Sequence, residues 1–244
     1  MAEILPFTAL LNRLFGGVAL ALLSALHIKP ENAAAPITNP VAMQVLVVIV
    51  LLIIFAVVRS RLSVEDPGGL QHIFESIQGF ITNQSREIIG SRSEGFTAFL
   101  LVLMLFVLCC NLLGLIPAFE APTSVPSVPL GCAIVAFVYY NYHGLKRQGA
   151  LGYAKHFTGP MPALAPLMVP IEIISHLARV LSLTIRLFAN MFAGDMVTLV
   201  FFSLVPIGIP VIFLGLHTFV SLLQAYIFVL LTTVYLSGAV SEEH

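Results

Sequence analysis

Between Arg186 and Glu242 this 244-residue chain carries one other formal charge, Asp195, in a run made mostly of Leu, Val, Phe, Ile and Ala. A stretch so apolar belongs in lipid. There every backbone N–H and C=O must be satisfied within the protein, which limits spanning segments to helices or closed barrels. Runs of about 20 apolar residues select helices. The rest of the chain agrees: hydrophobic residues make up 59% and charged residues 9%, with a mean hydropathy of +1.01. Soluble domains run at about 45–50% and 25%. The sequence therefore predicts an all-α integral membrane protein, with room for about five or six spans plus loops.

Several function classes drop out. A net charge of −1 argues against nucleic acid as a partner. Cys109, Cys110 and Cys132 lie in apolar segments without CxxC spacing and read as small core hydrophobes. The seven histidines show no HExxH or comparable spacing, so neither a metal nor a cofactor is indicated.

Two regions are expected. Residues 1–40 form an external or membrane-surface segment, with Phe7, Leu10, Leu11, Leu14, Phe15 and Val18 at helical spacing. It does not read as a signal peptide, because it lacks a basic start and Arg13 interrupts it. Residues 41–244 form a single membrane domain. Within it, 41–58 is a first span ending at Arg59 and Arg61. Segment 67–90 alternates Ile73, Phe74, Ile77, Phe80, Ile81 and Ile88 with Gln71, Glu75, Gln78, Asn83, Arg86 and Glu87. That pattern predicts an amphipathic helix lying on the membrane surface or against a partner. Segment 96–116 is the second span, ended by Pro117. The Pro-rich stretch 118–129 is a loop, and 130–142 is a third span closed by the polar residues 143–147. Segments 164–204 and 211–239 make the last two spans around a Pro206–Gly208–Pro210 turn. Both are longer than about 30 Å of hydrocarbon requires, which predicts steep tilt. The basic residues Arg59, Arg61, Arg86, Arg92, Lys146, Arg147 and Lys155 fall in alternate loops. By the positive-inside rule those loops are cytoplasmic, the N-terminus is outside and the C-terminus inside.

The polar residues of the last two spans carry the chemistry. Glu172, Arg179 and Arg186 recur every seven residues, with Ser175, Ser182 and Asn190 near the same stripe. Small polar residues at such spacing also serve as a helix–helix seam, and Ser175 and Ser182 fit that role equally well. Glu172 and Arg179 would also suit an ion pair at a helix end. Arg186 is harder to absorb. A guanidinium stays charged, its placement at mid-membrane costs about 2.5–3.5 kcal/mol on insertion scales, and no acid lies three or four residues away. The fifth span offers His217, Ser221, Gln224 and Tyr235 near one face. Antiparallel pairing around the turn predicts Arg186 level with Gln224, and Asp195 level with His217. Nine residues are half a turn of phase, so Asp195 should face away from Arg186 unless the helix distorts near Gly194. Two matched polar levels in apolar helices indicate a proton or ion path.

The string Ser182-Leu183-Thr184-Ile185-Arg186-Leu187-Phe188-Ala189-Asn190-Met191-Phe192-Ala193-Gly194-Asp195 resembles the signature of subunit a of the bacterial F-type ATP synthase. So do Asn111-Leu112-Leu113-Gly114-Leu115-Ile116-Pro117, Ile171-Glu172-Ile173-Ile174-Ser175, Gln224-Ala225-Tyr226-Ile227-Phe228 and Tyr235-Leu236-Ser237, over roughly residues 40 to 244. The resemblance implies a non-catalytic stator subunit in the bacterial inner membrane that couples proton flow to rotation and ATP synthesis. Arg186 would face the carboxylates of a rotor ring of c subunits, with the last two helices forming a hairpin against it. Glu172, Ser175, Asn190, Asp195, His217 and Gln224 would line two offset aqueous half-channels. Peripheral-stalk b subunits and the remaining ATP synthase subunits are the other implied partners. The family often has Glu or His where this chain has Asp195, and the shorter Asp keeps the acid chemistry. A secondary transporter using Arg186 to bind an anionic substrate is the alternative, but no internal repeat or pair of broken helices supports it. An intramembrane hydrolase would need a second aspartate or a serine–histidine pair, and neither is evident by spacing.

Overall fold

A computed structural model describes residues 4–29, 32, 34–63, 67–90, 93–116, 119–158, 165–204 and 208–240, with the backbone alone for 150–158, 165 and 209. Pro117, Arg92, Pro206, the side chain of Lys155 and the terminal residues 241–244, all used above, lie outside the described set. The described residues form seven α-helices and one short 3-10 turn. They are α1 (Pro6–Ala25), α2 (Asn39–Ser60), α3 (Gly69–Ile89), α4 (Glu94–Leu113), the 3-10 turn Pro122–Ser124, α5 (Ser127–Thr158), α6 (Ala165–Leu204) and α7 (Ile209–Val240).

Five helices are long and apolar enough to cross a membrane: α1, α2, α4, α6 and α7. The number matches the expectation, but the set differs. Helix α1 joins it, and α5 does not, because the apolar run 130–142 is short against the ~20 residues a crossing needs. The polar residues 143–147 do not end α5 either. The helix continues through them to Gly149, whose φ of 73° breaks it, and resumes to Thr158. Lys and Arg stems can cover apolar surface while their charges reach water, so a helix outlasts its apolar run. The expected loop 118–129 is shorter than read: α5 already starts at Ser127. Pro129 sits in its first turn, where the missing N–H has no intrahelical partner to lose.

Helix α1 does not pack along the length of α2. Leu11 clusters with Ala42 and Met43, with Leu5, Phe7, Ile37 and Leu46 around them. Its later Gly16 lies nearest Pro36. The contacts stay near the start of α2, whereas a transmembrane hairpin would bring the first turn of α1 to the far end of α2. Helix α3 packs within the chain. Phe74 meets Phe55 of α2, Gln84 Nε2 donates to the Tyr226 hydroxyl at 2.7 Å, and Ser237 Oγ donates to the Ile88 carbonyl at 2.9 Å.

The main core joins five helices: Ile81 of α3, Leu100, Leu103 and Val107 of α4, Cys132, Ala133 and Ala136 of α5, Leu183, Leu187 and Met191 of α6, and Ala225, Phe228 and Val229 of α7. The alanines and Cys132 let backbones approach closely, which is how helices associate where lipid supplies no hydrophobic drive. Leu183, Leu187 and Met191 recur every four residues and mark the packed face of α6. Ile174, Leu177, Leu181, Ile185, Phe192, Met196 and Leu199 remain exposed.

The connection from α4 to α5 is pinned from two sides. Asn111 Nδ2 donates to the Ser221 carbonyl at 3.2 Å, and its Oδ1 accepts from the Thr123 hydroxyl at 2.7 Å. Gly114 lets this segment fold back: a Cβ there would stand 2.5 Å from Ala121 Cβ and 3.0 Å from its backbone nitrogen. We expect Gly114→Ala to destabilise the protein by about 1–3 kcal/mol through overpacking. A lowered midpoint in thermal denaturation of the purified protein in detergent would show it.

Candidate functional site: a polar track along α6 and α7

Helices α6 and α7 form an antiparallel hairpin with one register throughout. Phe201 stacks on Phe213 at one end, and Arg179 lies 5.2 Å from the ring of Tyr235 at the other. Equal steps of 22 residues separate these pairs on both helices, about 33 Å of continuous pairing. Gly208, with φ of 92°, sits at the turn in a conformation that suits glycine.

Three polar levels lie along this hairpin. Nearest the turn, His217 Nε2 and Asp195 Oδ1 are 3.8 Å apart. The imidazole is buried, and its Nε2 has no hydrogen-bond partner among the described residues. It rests on Gly194, where a Cβ would stand 2.7 Å from both Cδ2 and Nε2. Helix α6 runs through Gly194 with no positive φ, so the distortion that would have turned Asp195 toward Arg186 is absent. The missing side chain, rather than a bend, admits the ring. Asp195 and His217 open onto a cavity of about 580 Å³ whose wall also includes Glu120, Ser124, Thr198 and Ser203.

At the middle level, Asn190 Nδ2 donates to Gln224 Oε1 at 2.7 Å. This corrects the expected pairing of Gln224 with Arg186. An offset at the turn apex counts on both helices of the hairpin, so Gln224 lies four residues, about 6 Å, from the level assigned to it. Arg186 instead stands beside Ser182, whose Oγ accepts from Nη2 at 3.4 Å. No carboxylate among the described residues lies within ion-pair reach of it. Its neighbours Ile185, Ala189 and Asn190 are exposed, on the side of α6 away from the core.

The third level lies near the start of α6. Glu172 Oε1 is 3.4 Å from His176 Nε2 and 3.8 Å from Arg179 Nη2. His176 Nδ1 is 3.1 Å from the Tyr140 hydroxyl on α5. Arg179 thus bridges Glu172 and the ring of Tyr235. Ser175 is partly exposed one turn from Arg179 and makes none of the described hydrogen bonds. Along α6, Arg186 lies about 13.5 Å from the Asp195 level and about 21 Å from Glu172.

Two residues of this track escaped the sequence reading. His176 shares a face with Glu172 at helical spacing, so i, i+4 pairing was the signal available. Glu120 is the lone charge in a connection without Lys or Arg, and only the fold brings it beside Asp195.

The profile of the ATP synthase A chain family matches residues 41–237. The chain belongs to that family. Among similar proteins, ATP synthase subunit a of Koribacter versatilis is 53% identical over 244 residues, covering all of both chains. That of Solibacter usitatus is 53% identical over 233 residues, 96% of this chain and 99% of the other. That of Oleidesulfovibrio alaskensis is 45% identical over 200 residues, 80% and 84%. The chain is accordingly the proton-translocating stator subunit of an F-type ATP synthase, a multi-pass membrane protein, and the transporter reading is not favoured.

Contact of His217 with Gly194 makes a test. Gly194→Ala should displace the imidazole from Asp195 and cut proton flux about 10- to 100-fold, the scale of an ångström-level misplacement. Alanine itself favours the helix by about 0.5–1 kcal/mol, so thermal stability should not fall by the amount that a broken α6 would cost. Unchanged proton flux in reconstituted vesicles would count against the pairing.

Proposed function

We propose that Arg186 is the element separating two offset proton paths. The observation that carries this reading is its position: a permanent cation on the exposed side of α6, unpaired within the described chain, between polar levels at Asp195–His217 and Glu172–Arg179. The exposed apolar residues of α6 form the surface against which a ring of c subunits turns, each subunit bringing one carboxyl to Arg186. In lipid a buried carboxyl is neutral and can move; beside a guanidinium it ionises. A carboxyl arriving at Arg186 therefore releases its proton and takes another only after moving to the other path.

Asp195, His217 and Asn190, with Gln224 holding Asn190, carry protons between the outside and the ring. The spacing of 3.8 Å between Asp195 and His217 is long for a direct hydrogen bond and suits a bridging water from the adjoining cavity. Glu172 and Ser175 serve the inner path, with His176 and Arg179 holding Glu172. A fixed positive charge between the paths opposes direct leakage, and each charge that crosses gains about 2.3 kcal/mol per 100 mV. Beyond the O–H and N–H bonds exchanged in proton transfer, the chain forms and breaks no covalent bond, and ATP chemistry lies on other subunits. Peripheral-stalk b subunits hold it against rotation.

Residues 41–244 act as one membrane domain in the bacterial inner membrane, with the first forty residues lying outside. Packing of α1 only at the start of α2 supports its surface position, and the shared core layer of Cys132, Ala133 and Ala136 with α6 and α7 supports α5 as a crossing. With α2, α4, α5, α6 and α7 as spans, the N-terminus is outside and the C-terminus cytoplasmic, in agreement with the basic loops. Helix α6, 40 residues long and about 60 Å end to end, crosses steeply tilted.

Arg186→Ala should lower coupled ATP synthesis at least about 100-fold, the scale on which one essential charge-stabilising donor acts. Passive proton leakage through the membrane sector should persist or rise. Arg186→Lys should also fail, because an ammonium lacks the planar fork and can lose its proton in an apolar site. Normal synthesis by either variant in inverted membranes would refute the assignment.

A further inference from the structure

Glu120 stands on the wall of the cavity that Asp195 and His217 share, and the path above leaves it unused. It is the only charged residue in the connection between α4 and α5. Its side chain is exposed, in the connection at the end of the bundle where α6 turns into α7. The same cavity is also lined by His217, only 4% exposed, with an Nε2 that no described group satisfies. A buried polar atom in that state calls for a hydrogen-bonding visitor, and the cavity leads that visitor past Glu120.

The position of Glu120 is held from a distance. Asn39 Nδ2 donates to Glu120 Oε1 at 3.3 Å, and Asn39 Oδ1 accepts from the Leu5 backbone N–H at 3.3 Å. Two turns further along α1, Asn12 brackets the backbone of Ile37: its Nδ2 donates to the Ile37 carbonyl and its Oδ1 accepts from the Ile37 N–H, each at 2.9 Å. Helix α1 thereby fixes both Asn39 and the segment that leads into it.

We propose that Glu120 is the proton-collecting carboxylate at the mouth of the external path, and that α1 holds it there through Asn39. This rests on the reading of Asp195 and His217 as members of that path. In each cycle Glu120 takes a proton from external water and gives it up, through water, to the Asp195–His217 pair, so that one O–H bond forms, one breaks and the carboxylate is restored. Asp195 from α6 and His217 from α7 are the titratable groups that face it across the cavity. Helix α2 contributes the neutral Asn39, and the 3-10 turn contributes Ser124.

The test uses the whole complex in vesicles, driven by a proton gradient at varied external pH. Glu120→Gln keeps the shape and removes the charge. A carboxylate lining a cleft raises the local cation concentration by about tenfold or more, and this matters only when protons are scarce. Synthesis by Glu120→Gln should therefore fall about tenfold near pH 8 outside and less than about twofold near pH 5.5. Glu120→Asp should recover most of the loss. No loss, or an equal loss at both pH values, overturns the proposal. If Glu120→Gln does not assemble, Asn39→Ala decides by the same comparison, since releasing the carboxylate should give a smaller loss with the same pH dependence. Arg186→Ala in parallel separates the two readings. If it leaves synthesis intact, the parent reading fails; if it abolishes synthesis while Glu120→Gln has no effect, this inference alone fails.

Discussion

An arginine that cannot shed its charge, set on an apolar helix without a carboxylate partner in the described chain, is the constraint around which the rest of α6 is arranged. Its nearest polar contact is a serine hydroxyl at 3.4 Å, a weak interaction against the few kcal/mol that a mid-membrane guanidinium costs on insertion scales. Such a site is stable in an assembly only if something outside the chain compensates it. A partner that arrives with a carboxyl, and leaves when that carboxyl is neutral, supplies compensation and turnover together. In the cycle proposed above, the same unpaired charge that destabilises the isolated chain would be what drives turnover.

Helix α6 meets this constraint by dividing its faces. Leu183, Leu187 and Met191 enter the core, where α5 and α7 offer Ala133, Ala136 and Ala225 for close approach. Ile174, Leu177, Leu181 and Ile185 stay exposed, and in the proposed function this is the face past which the rotor would slide with no specific bond to break. Between these faces the polar groups pair across the hairpin: Asp195 with His217, Asn190 with Gln224, Arg179 with Tyr235. Asn111 then secures α7 and the 3-10 turn together, which closes the wall of the cavity beside Asp195.

Much of this was legible in the sequence because membrane helices announce themselves by length and apolarity. The places of α2, α4, α6 and α7, the hairpin and the meeting of Asp195 with His217 followed from runs of apolar residues and antiparallel counting, although α4 ends at Leu113, before the expected stop at Pro117. What failed was local. Gln224 was assigned to Arg186 because counting fixes depth only to within a turn and does not say which face a side chain occupies. The contact of Gly194 with His217 was not legible, because a missing Cβ in a sequence does not say which side chain will fill the space. The end of α5 was placed at residue 142 since polarity marks the end of a membrane span rather than the end of a helix. Glu120 and Asn39 were invisible as a pair, being 81 residues apart and joined only by tertiary structure.

The central claim is that two water-accessible paths approach Arg186 from opposite sides and do not meet. Single cysteines placed in a background lacking Cys109, Cys110 and Cys132 report this directly when probed with a membrane-impermeant thiol reagent from each side in turn. Thr198→Cys and Ser203→Cys, on the cavity wall, should react only from the outside, and Ser175→Cys only from the cytoplasmic side. Reaction of any of these positions from both sides with Arg186 in place, or of all three from one side, would contradict the account.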